Sequence, residues 1–284
     1  MHPITTRFAP SPTGLLHLGH AASARFAFEQ AAGGRFLLRI EDIDQGRCRE
    51  EFVAAIFEDL SWLGLSWELE VRRQSLHFAE YQAGLDRLAA MDLLYPCFCS
   101  RAEIADEIAG MGGAPQGPDG PLYPGTCRHL SRAQSQERKA KGDRFALRLK
   151  MPEAIAVAGP LVWRDVDAGE QRARPELFGD VVLARKDIPA SYHLAVTLDD
   201  ARQGVSLVTR GQDLFASSHL HRLLQALLAL PVPDWRHHPL LMDGSGQRLA
   251  KRDGAPSLRS LREKGMSPDE VRRLSLFPPA DAPR

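Results

Sequence analysis

This chain of 284 residues has few cysteines, no net charge and no long hydrophobic run, and each of these absences argues against a class of protein. Four cysteines are too few for a disulfide framework. Basic and acidic residues balance at 36 each, which argues against a protein that coats nucleic acid non-specifically. No apolar run reaches the length of a membrane span, so we expect a cytoplasmic protein without membrane contact.

The chain does have enough apolar sequence for a sizeable core, with 44% hydrophobic and 25% charged residues. Its length predicts one main domain with an insertion or appendage. Residues 128–150 and 244–284 are locally rich in Lys and Arg, so a local RNA surface remains open.

The N-terminal pattern predicts a strand, a stiff loop and then a helix. Residues 5–9 have strand composition, and Pro10 and Pro12 force an extended loop after them. From about Leu18 the apolar spacing becomes helical, and the helix ends at Gly33-Gly34.

The loop and helix start carry side chains suited to a phosphorylated ligand. Gly14 and Gly19 let backbone approach the ligand, and a helix N-terminus offers free N–H groups and the positive end of its dipole. His17 and His20 can add donors to a phosphate. A His-x-Gly-His tetrapeptide alone is weak evidence for nucleotide binding, but its place after a strand and a proline-rich loop indicates a nucleotide site.

Arg7-Phe-Ala-Pro-Ser-Pro-Thr-Gly, followed by His17-Leu-Gly-His20, resembles the first signature of class I aminoacyl-tRNA synthetases in its glutamyl version. The resemblance implies an α/β fold: a Rossmann-like parallel-sheet nucleotide-binding domain with a zinc-containing insertion and a short helical C-terminal part. It also implies that ATP is bound by His17, Gly19 and His20, with both histidines catalytic.

A second strand is predicted over residues 35–40, and it ends in Glu41-Asp-Ile-Asp44. Ligands of open α/β sheets bind at the carboxyl ends of the strands, where these carboxylates lie. Asp44 or Gln45 could instead cap the next helix. The run Arg-Ile-Glu-Asp-Ile-Asp resembles the glutamyl family's second stretch, which implies that Glu41 contacts the substrate's amino group.

Two further residues match the family's positions for recognising glutamate. Tyr192 offers a hydroxyl, and Arg210 can pair a carboxylate through two parallel hydrogen bonds, which Lys cannot imitate. The glutamate-binding set implied by the resemblance is Arg7, Ala9, Ser11, Glu41, Tyr192 and Arg210.

Three of the cysteines lie close in sequence: Cys97 and Cys99, separated by one Phe, and Cys127. This spacing fits a structural zinc site, which needs a fourth ligand. Buried unpaired thiols are the alternative. His129 would be the usual choice of fourth ligand, because imidazole is a ligand that zinc prefers. The pattern Cys-x-Cys…Tyr-x-x-x-Cys resembles one branch of the family, the glutamyl-queuosine tRNA(Asp) synthetases, and implies Tyr123 instead.

Near the C-terminus, residues 248–252 resemble the second class I signature, a Lys-containing loop that meets the ATP phosphates. Arg248 replaces the first Lys of the pattern and Ala250 replaces its Ser. The resemblance implies that Lys251 is catalytic and binds ATP, because its charge would stabilise the leaving pyrophosphate.

The remaining pattern divides the chain into four parts. We expect the first half of the catalytic domain over residues 1–99, the insertion over 100–175, the second half over 176–240, and the Lys251 loop with a helical segment over 241–284. Predicted helices cover 50–63, 75–91, 131–141 and 220–230, and predicted strands cover 145–150 and 205–210, with a loop over 110–125. Residues 179–185 and 191–200 belong to the second half.

Within the family, the chain resembles the glutamyl-queuosine branch because no stretch after residue 252 resembles an anticodon-reading domain. The resemblance implies activation of glutamate with ATP and Mg²⁺, followed by transfer to the queuosine base of tRNA(Asp), and we expect a monomer. Three alternatives stay open: a compact glutamyl-tRNA synthetase, a small-molecule nucleotidyltransferase, and a non-catalytic zinc-containing RNA-binding module.

Overall fold

The computed structural model describes residues 3–242 and 256–277. Its strands are β1 (Thr5–Phe8), β2 (Arg35–Ile40), β3 (Arg72–Arg73), β4 (Leu94–Cys97), β5 (Gln116–Gly117), β6 (Gly120–Pro121), β7 (Ala146–Leu149), β8 (Val162–Asp165), β9 (Gly169–Arg172), β10 (Val182–Ala184), β11 (Leu207–Gly211) and β12 (Asp234–His238). Its α-helices are α1 (Leu18–Gln30), α2 (Glu50–Trp62), α3 (Phe78–Ala90), α4 (Arg101–Gly110), α5 (Arg132–Ala140), α6 (Met151–Ala158), α7 (Tyr192–Arg202), α8 (Ser217–Leu227), α9 (Leu258–Glu263) and α10 (Pro268–Leu274).

Parallel strands form the centre of the fold. β1, β2 and β3 pair in parallel, as do β11, β12 and β8, while β9 adds an antiparallel edge. The Ser206 N–H donates to the Thr5 carbonyl oxygen at 3.0 Å, which joins β1 to the start of β11. The expected α/β class with a parallel sheet is confirmed.

Helix α1 packs closely on this sheet because its inward face is made of small side chains. Ala21, Ala24 and Ala27 are buried, and the Thr6 hydroxyl of β1 donates to the Ala27 carbonyl at 2.7 Å. After the helix, Gly33 has a φ of +80°, which favours glycine. A Cβ on Gly34 would overlap the carbonyl oxygen of Ile4, so the chain can turn into β2 only with glycine there.

A second, antiparallel sheet holds β4, β7 and β10, and a core of helices α3, α6, α7 and α8 packs beside it. Residues 191–200 form most of α7, which begins after the capping hydroxyl of Ser191. The predicted loop over 110–125 contains a small hairpin that the prediction missed, formed by β5 and β6. Two-residue strands leave no periodicity in a sequence that could reveal them.

The other predicted elements are confirmed with ends shifted by a few residues. They include β2 and β7 and helices α1, α2, α3, α5 and α8. Arg49 occupies the N-cap of α2, so neither Asp44 nor Gln45 caps that helix. In the described ranges, no helix combines the length and apolarity needed to cross a bilayer.

A buried charged network fastens α7 to the first two strands. The Asp200 carboxylate of α7 accepts from Arg7 Nε of β1 at 3.0 Å and from Arg39 NH1 of β2 at 2.8 Å. Next to it, Asp199 accepts from Arg72, Gln74 and Tyr81. The two arginines oppose the effect of burial and lower the pKa of Asp200.

We predict that Asp200→Asn lowers the free energy of unfolding by about 3–5 kcal/mol, because it leaves two buried guanidinium groups short of their shared partner. Urea unfolding measures the change. Asp269→Asn is the matched control: it breaks an Arg272 pair on the surface, where Asp269 is 74% exposed, and should have a much smaller effect. Equal losses in both variants would contradict the role given to Asp200.

Candidate functional site

A cleft of about 360 Å³ opens where β1 and β11 end and helix α1 begins. It brings together every predicted glutamate or nucleotide residue that the structure describes: Arg7, Ala9, Ser11, His17, Gly19, His20, Glu41, Tyr192 and Arg210. Lys251 and the rest of the second signature lie outside the described residues. On either side of that stretch, Leu241 lines the cleft and the Leu258 N–H donates to the Leu16 carbonyl at 2.8 Å.

The first turn of α1 fixes both histidines of the tetrapeptide. His17 is the N-cap, and its Nδ1 accepts from the Gly19 N–H at 3.1 Å. His20 Nδ1 accepts from the His17 N–H at 3.2 Å, which completes a reciprocal capping box. Because each neutral imidazole accepts at Nδ1, its proton is on Nε2. The helix start therefore adds two imidazole donors to its own N–H groups.

Glu41 follows β2 directly and lines the same cleft. Its side chain is 10% exposed, with Arg39 NH2 at 3.4 Å from its Oε1. Burial raises the pKa of Glu41 to about 7, although Arg39 and Arg7 favour the ionised form. A cation bound next to Glu41 would shift its protonation equilibrium further toward the ionised carboxylate, so the site suits an ammonium group.

Arg7 and Arg210 both face the cleft, but their partners differ. The Arg7 guanidinium donates to Asp200 at Nε and NH2, and to the Thr209 carbonyl at NH1 (2.8 Å). Arg7 is thus paired with a carboxylate and holds the backbone of β11 next to Arg210.

Arg210 is 6% exposed, and the hydrogen-bond acceptors that the described residues offer it are all neutral. Its NH2 donates to Ser218 Oγ at 2.6 Å, its NH1 to His221 Nδ1 at 3.2 Å and its Nε to His237 Nε2 at 3.2 Å. Tyr192 lines the same cleft. No ion pair within residues 3–242 and 256–277 includes Arg210, and burial lowers its pKa. A buried guanidinium without a carboxylate partner is a site for an anionic ligand.

The three predicted cysteines cluster at the end of β4, where the sulfur atoms of Cys97, Cys99 and Cys127 lie within 4.8 Å of one another. The Tyr123 hydroxyl joins them, 3.5 Å from Cys99 Sγ and accepting from the Cys127 N–H at 2.9 Å. His129 is exposed and is not part of the cluster. The arrangement favours Tyr123 over His129 as a fourth ligand.

Neighbouring groups hold the cluster in place. The Arg148 guanidinium lies 3.8 Å from the centre of the Tyr123 ring, and the Phe98 N–H donates to Cys127 Sγ at 3.3 Å. Burial opposes ionisation of Cys127, but hydrogen bonds from Tyr123, Phe98 and Cys99 together lower its pKa. Three sulfurs and one oxygen in a largely closed site are the donor set of a structural metal rather than a catalytic one.

Sequence reasoning missed the residues that support the arginines. Asp200 and the acceptors around Arg210 (Ser218, His221 and His237) belong to no motif. One signal was available: Arg39 is a charged residue within the otherwise apolar run of β2, and a buried Arg requires acidic partners such as the adjacent Asp199 and Asp200.

A family model described as the catalytic domain of class I tRNA synthetases (E and Q) matches residues 3–275. Glutamyl-Q tRNA(Asp) synthetase from Rhodobacter capsulatus is 49% identical over 95% of this chain and 98% of its own length. The protein of the same name from Symbiobacterium thermophilum is 42% identical over 93% of this chain and 83% of its own.

Among solved structures, a glutamate tRNA ligase from Elizabethkingia meningosepticum in complex with its amino acid is similar, with a TM-score of 0.75 and 28% identity. The match covers 89% of this chain and 53% of that ligase. The similarity therefore includes the α/β part that carries the cleft.

The raised pKa of Glu41 predicts a pH trend in stability. Protonation favours the fold below the ordinary carboxyl pKa, 4.5, and this contribution is lost as pH rises through about 7. The free energy of unfolding of the wild type minus that of Glu41→Gln should therefore fall from pH 5 to 7, by about 1.4 kcal/mol per pH unit. Urea unfolding at several pH values measures it.

Glu80→Gln provides the matched control for this trend. Burial opposes ionisation of Glu80, but hydrogen bonds from Arg72 and His77 together lower its pKa. The corresponding difference for Glu80 should not fall between pH 5 and 7. A flat profile for Glu41 would contradict its buried, proton-binding environment.

Proposed function

Because the chain belongs to the family of class I tRNA synthetases for glutamate and glutamine, we propose that it activates glutamate with ATP and transfers it to the queuosine base in the anticodon of tRNA(Asp). The observation that carries the choice of amino acid is Arg210, a buried guanidinium whose described partners are all neutral. The names of the relatives at 49% and 42% identity support the choice of acceptor.

In this proposal, glutamate lies across the cleft between two opposite charges. Its side-chain carboxylate pairs with Arg210, next to the Tyr192 hydroxyl, and its ammonium group lies against Glu41. Arg7, Ala9 and Ser11 line the space between them. The Arg210 guanidinium, together with the Glu41 carboxylate that a bound ammonium group favours, selects an amino acid that carries a second carboxylate.

The activation step needs alignment and charge stabilisation more than a covalent catalyst. An α-carboxylate oxygen of glutamate attacks the α-phosphorus of ATP, and the bond to the pyrophosphate oxygen breaks. The N-terminus of α1, with Gly19 and the Nε2–H groups of His17 and His20, suits the nucleotide phosphates. We assign Lys251 to the leaving pyrophosphate from its sequence signature, and Mg²⁺ accompanies ATP as part of the substrate.

In the transfer step, a hydroxyl of the queuosine cyclopentene ring attacks the carbonyl carbon of the mixed anhydride. AMP leaves and an ester remains on the base. No described residue is assigned as the base for this step.

We also propose that Cys97, Cys99, Tyr123 and Cys127 bind one structural Zn²⁺. Three close sulfur atoms with a tyrosine oxygen next to them support this ligand set. Bound zinc would tie β4 to the segment that follows the β5–β6 hairpin, and it would supply no chemistry to the reaction.

Arg210→Lys tests the amino-acid pocket. The variant keeps the charge but loses the planar fork, so kcat/KM for glutamate in ATP–pyrophosphate exchange should fall about ten- to a hundredfold, with KM for ATP little changed. Arg236→Lys is the control, since Arg236 of β12 pairs with Asp167 away from the cleft lining. A weaker KM for ATP with unchanged glutamate kinetics would reject this pocket.

Two substitutions test the metal ligands. Elemental analysis should find one zinc per chain, with the zinc lost or weakened in Tyr123→Phe and retained in His129→Ala. Removal of zinc by a chelator should lower the melting temperature. Absence of zinc from the wild type, or the reverse behaviour of the two variants, would reject this ligand set.

The nature of the product tests the proposed acceptor. Since the described cleft assembles every glutamate-binding residue without RNA, exchange should proceed with glutamate and ATP alone. Labelled glutamate should then attach to queuosine-containing tRNA(Asp) and stay attached after removal of the terminal adenosine. Label lost with that adenosine would instead identify a glutamyl-tRNA synthetase.

A further inference from the structure

A line of hydrogen bonds runs from Arg210 to the β5–β6 hairpin through two histidines. Arg210 NH1 lies 3.2 Å from His221 Nδ1, on α8, and His221 Nε2 lies 3.1 Å from His193 Nδ1, on α7. His193 Nε2 lies 2.9 Å from Asp119 Oδ2, in the turn between β5 and β6. Both histidines are buried, whereas the Asp119 side chain is 56% exposed.

The direction of each bond in this line is fixed. A guanidinium can only donate, so His221 accepts at Nδ1 and has its proton on Nε2. His221 then donates to His193 Nδ1, which leaves the proton of His193 on Nε2, facing the Asp119 carboxylate. Both imidazoles are therefore neutral, and each is held in one tautomer.

A matching arrangement exists on the other side of the guanidinium. Arg210 Nε donates to His237 Nε2, and His237 Nδ1 donates to Asp165 at 2.7 Å. Burial lowers the pKa of His237 to about 4, so this imidazole is neutral as well. Arg210 is thus held by two imidazoles, of which His237 bonds Asp165 directly and His221 reaches Asp119 through His193.

We propose that His221, His193 and Asp119 are positioning residues for substrate glutamate. The β5–β6 hairpin, which carries Asp119, then contributes to the amino-acid site. The line orients Arg210 without neutralising it. A carboxylate in direct contact, like Asp200 on Arg7, would occupy the donors that the ligand needs. This inference rests on the proposed function, because it takes glutamate as the ligand of Arg210.

Asp119→Ala is the most direct test, because the side chain is 56% exposed and its removal leaves no large buried cavity. Loss of the last acceptor should raise KM for glutamate in ATP–pyrophosphate exchange about three- to tenfold, with KM for ATP and the melting temperature unchanged. Asp119→Asn keeps an oxygen acceptor and should recover part of the loss. Asp106→Ala on α4 is the control, an exposed aspartate of the same region.

A buried variant and a spectroscopic measurement complete the test. His221→Leu should raise KM for glutamate about tenfold or more, and His221→Gln, which can accept and donate, should raise it less. Nitrogen-15 NMR of the imidazoles should show His193 protonated at Nε2 alone in the wild type. In Asp119→Ala that preference should weaken.

The outcomes separate this inference from the proposed function. If the wild type exchanges with glutamate but Asp119→Ala and His221→Leu keep its KM for glutamate, the positioning role is overturned. A purely structural role would lower the melting temperature without changing KM for glutamate, and would overturn it too. If the wild type neither binds glutamate in calorimetry nor exchanges with it, the proposed function itself fails.

Discussion

The carboxylate of Asp200 is the contact on which the arrangement of the site depends. Arg7, Arg39 and Asp200 are each less than 10% exposed, so none of these charges is compensated by water. Since an unpaired buried charge is strongly destabilising, the two arginines must converge on Asp200, and β1, β2 and α7 must meet there. This convergence brings Glu41, at the end of β2, and Tyr192, at the start of α7, to the same cleft.

That network leaves the two arginines of the cleft in different electrostatic states. Arg7 is neutralised by Asp200 and serves to hold the fold together, whereas Arg210 is surrounded by two imidazoles and a hydroxyl. Of these two arginines, only Arg210 has no carboxylate partner among the described residues. Selectivity for an acidic amino acid therefore depends on which guanidinium lacks a carboxylate, not on how many arginines line the cleft.

The local sequence pattern was sufficient to predict those features whose residues lie close together in the chain. The strand–loop–helix unit from β1 to α1, the strand ending at Glu41 and the close cysteines are all visible in the sequence, and the family resemblance assigned Tyr192 and Arg210. The cluster of Cys97, Cys99 and Cys127 with the Tyr123 hydroxyl also agrees with the spacing.

Contacts between distant parts of the chain could not be predicted in the same way. Asp119 and His193 are 74 residues apart, and Arg7 and Asp200 are 193 apart, so no spacing rule connects them. A histidine on an apolar helix such as α8 is typical of a packed core, and only its geometry relates His221 to Arg210. The β5–β6 hairpin was missed because its strands are two residues long.

The assignment of Arg210 as the carboxylate partner is tested most directly by a crystal structure with a non-hydrolysable analogue of glutamyl-adenylate. We expect the side-chain carboxylate to form two parallel hydrogen bonds with Arg210, the ammonium group to lie within hydrogen-bonding distance of Glu41, and Arg7 to remain paired with Asp200. A side-chain carboxylate bound to Arg7 instead, with Arg210 left without an anionic partner, would contradict it.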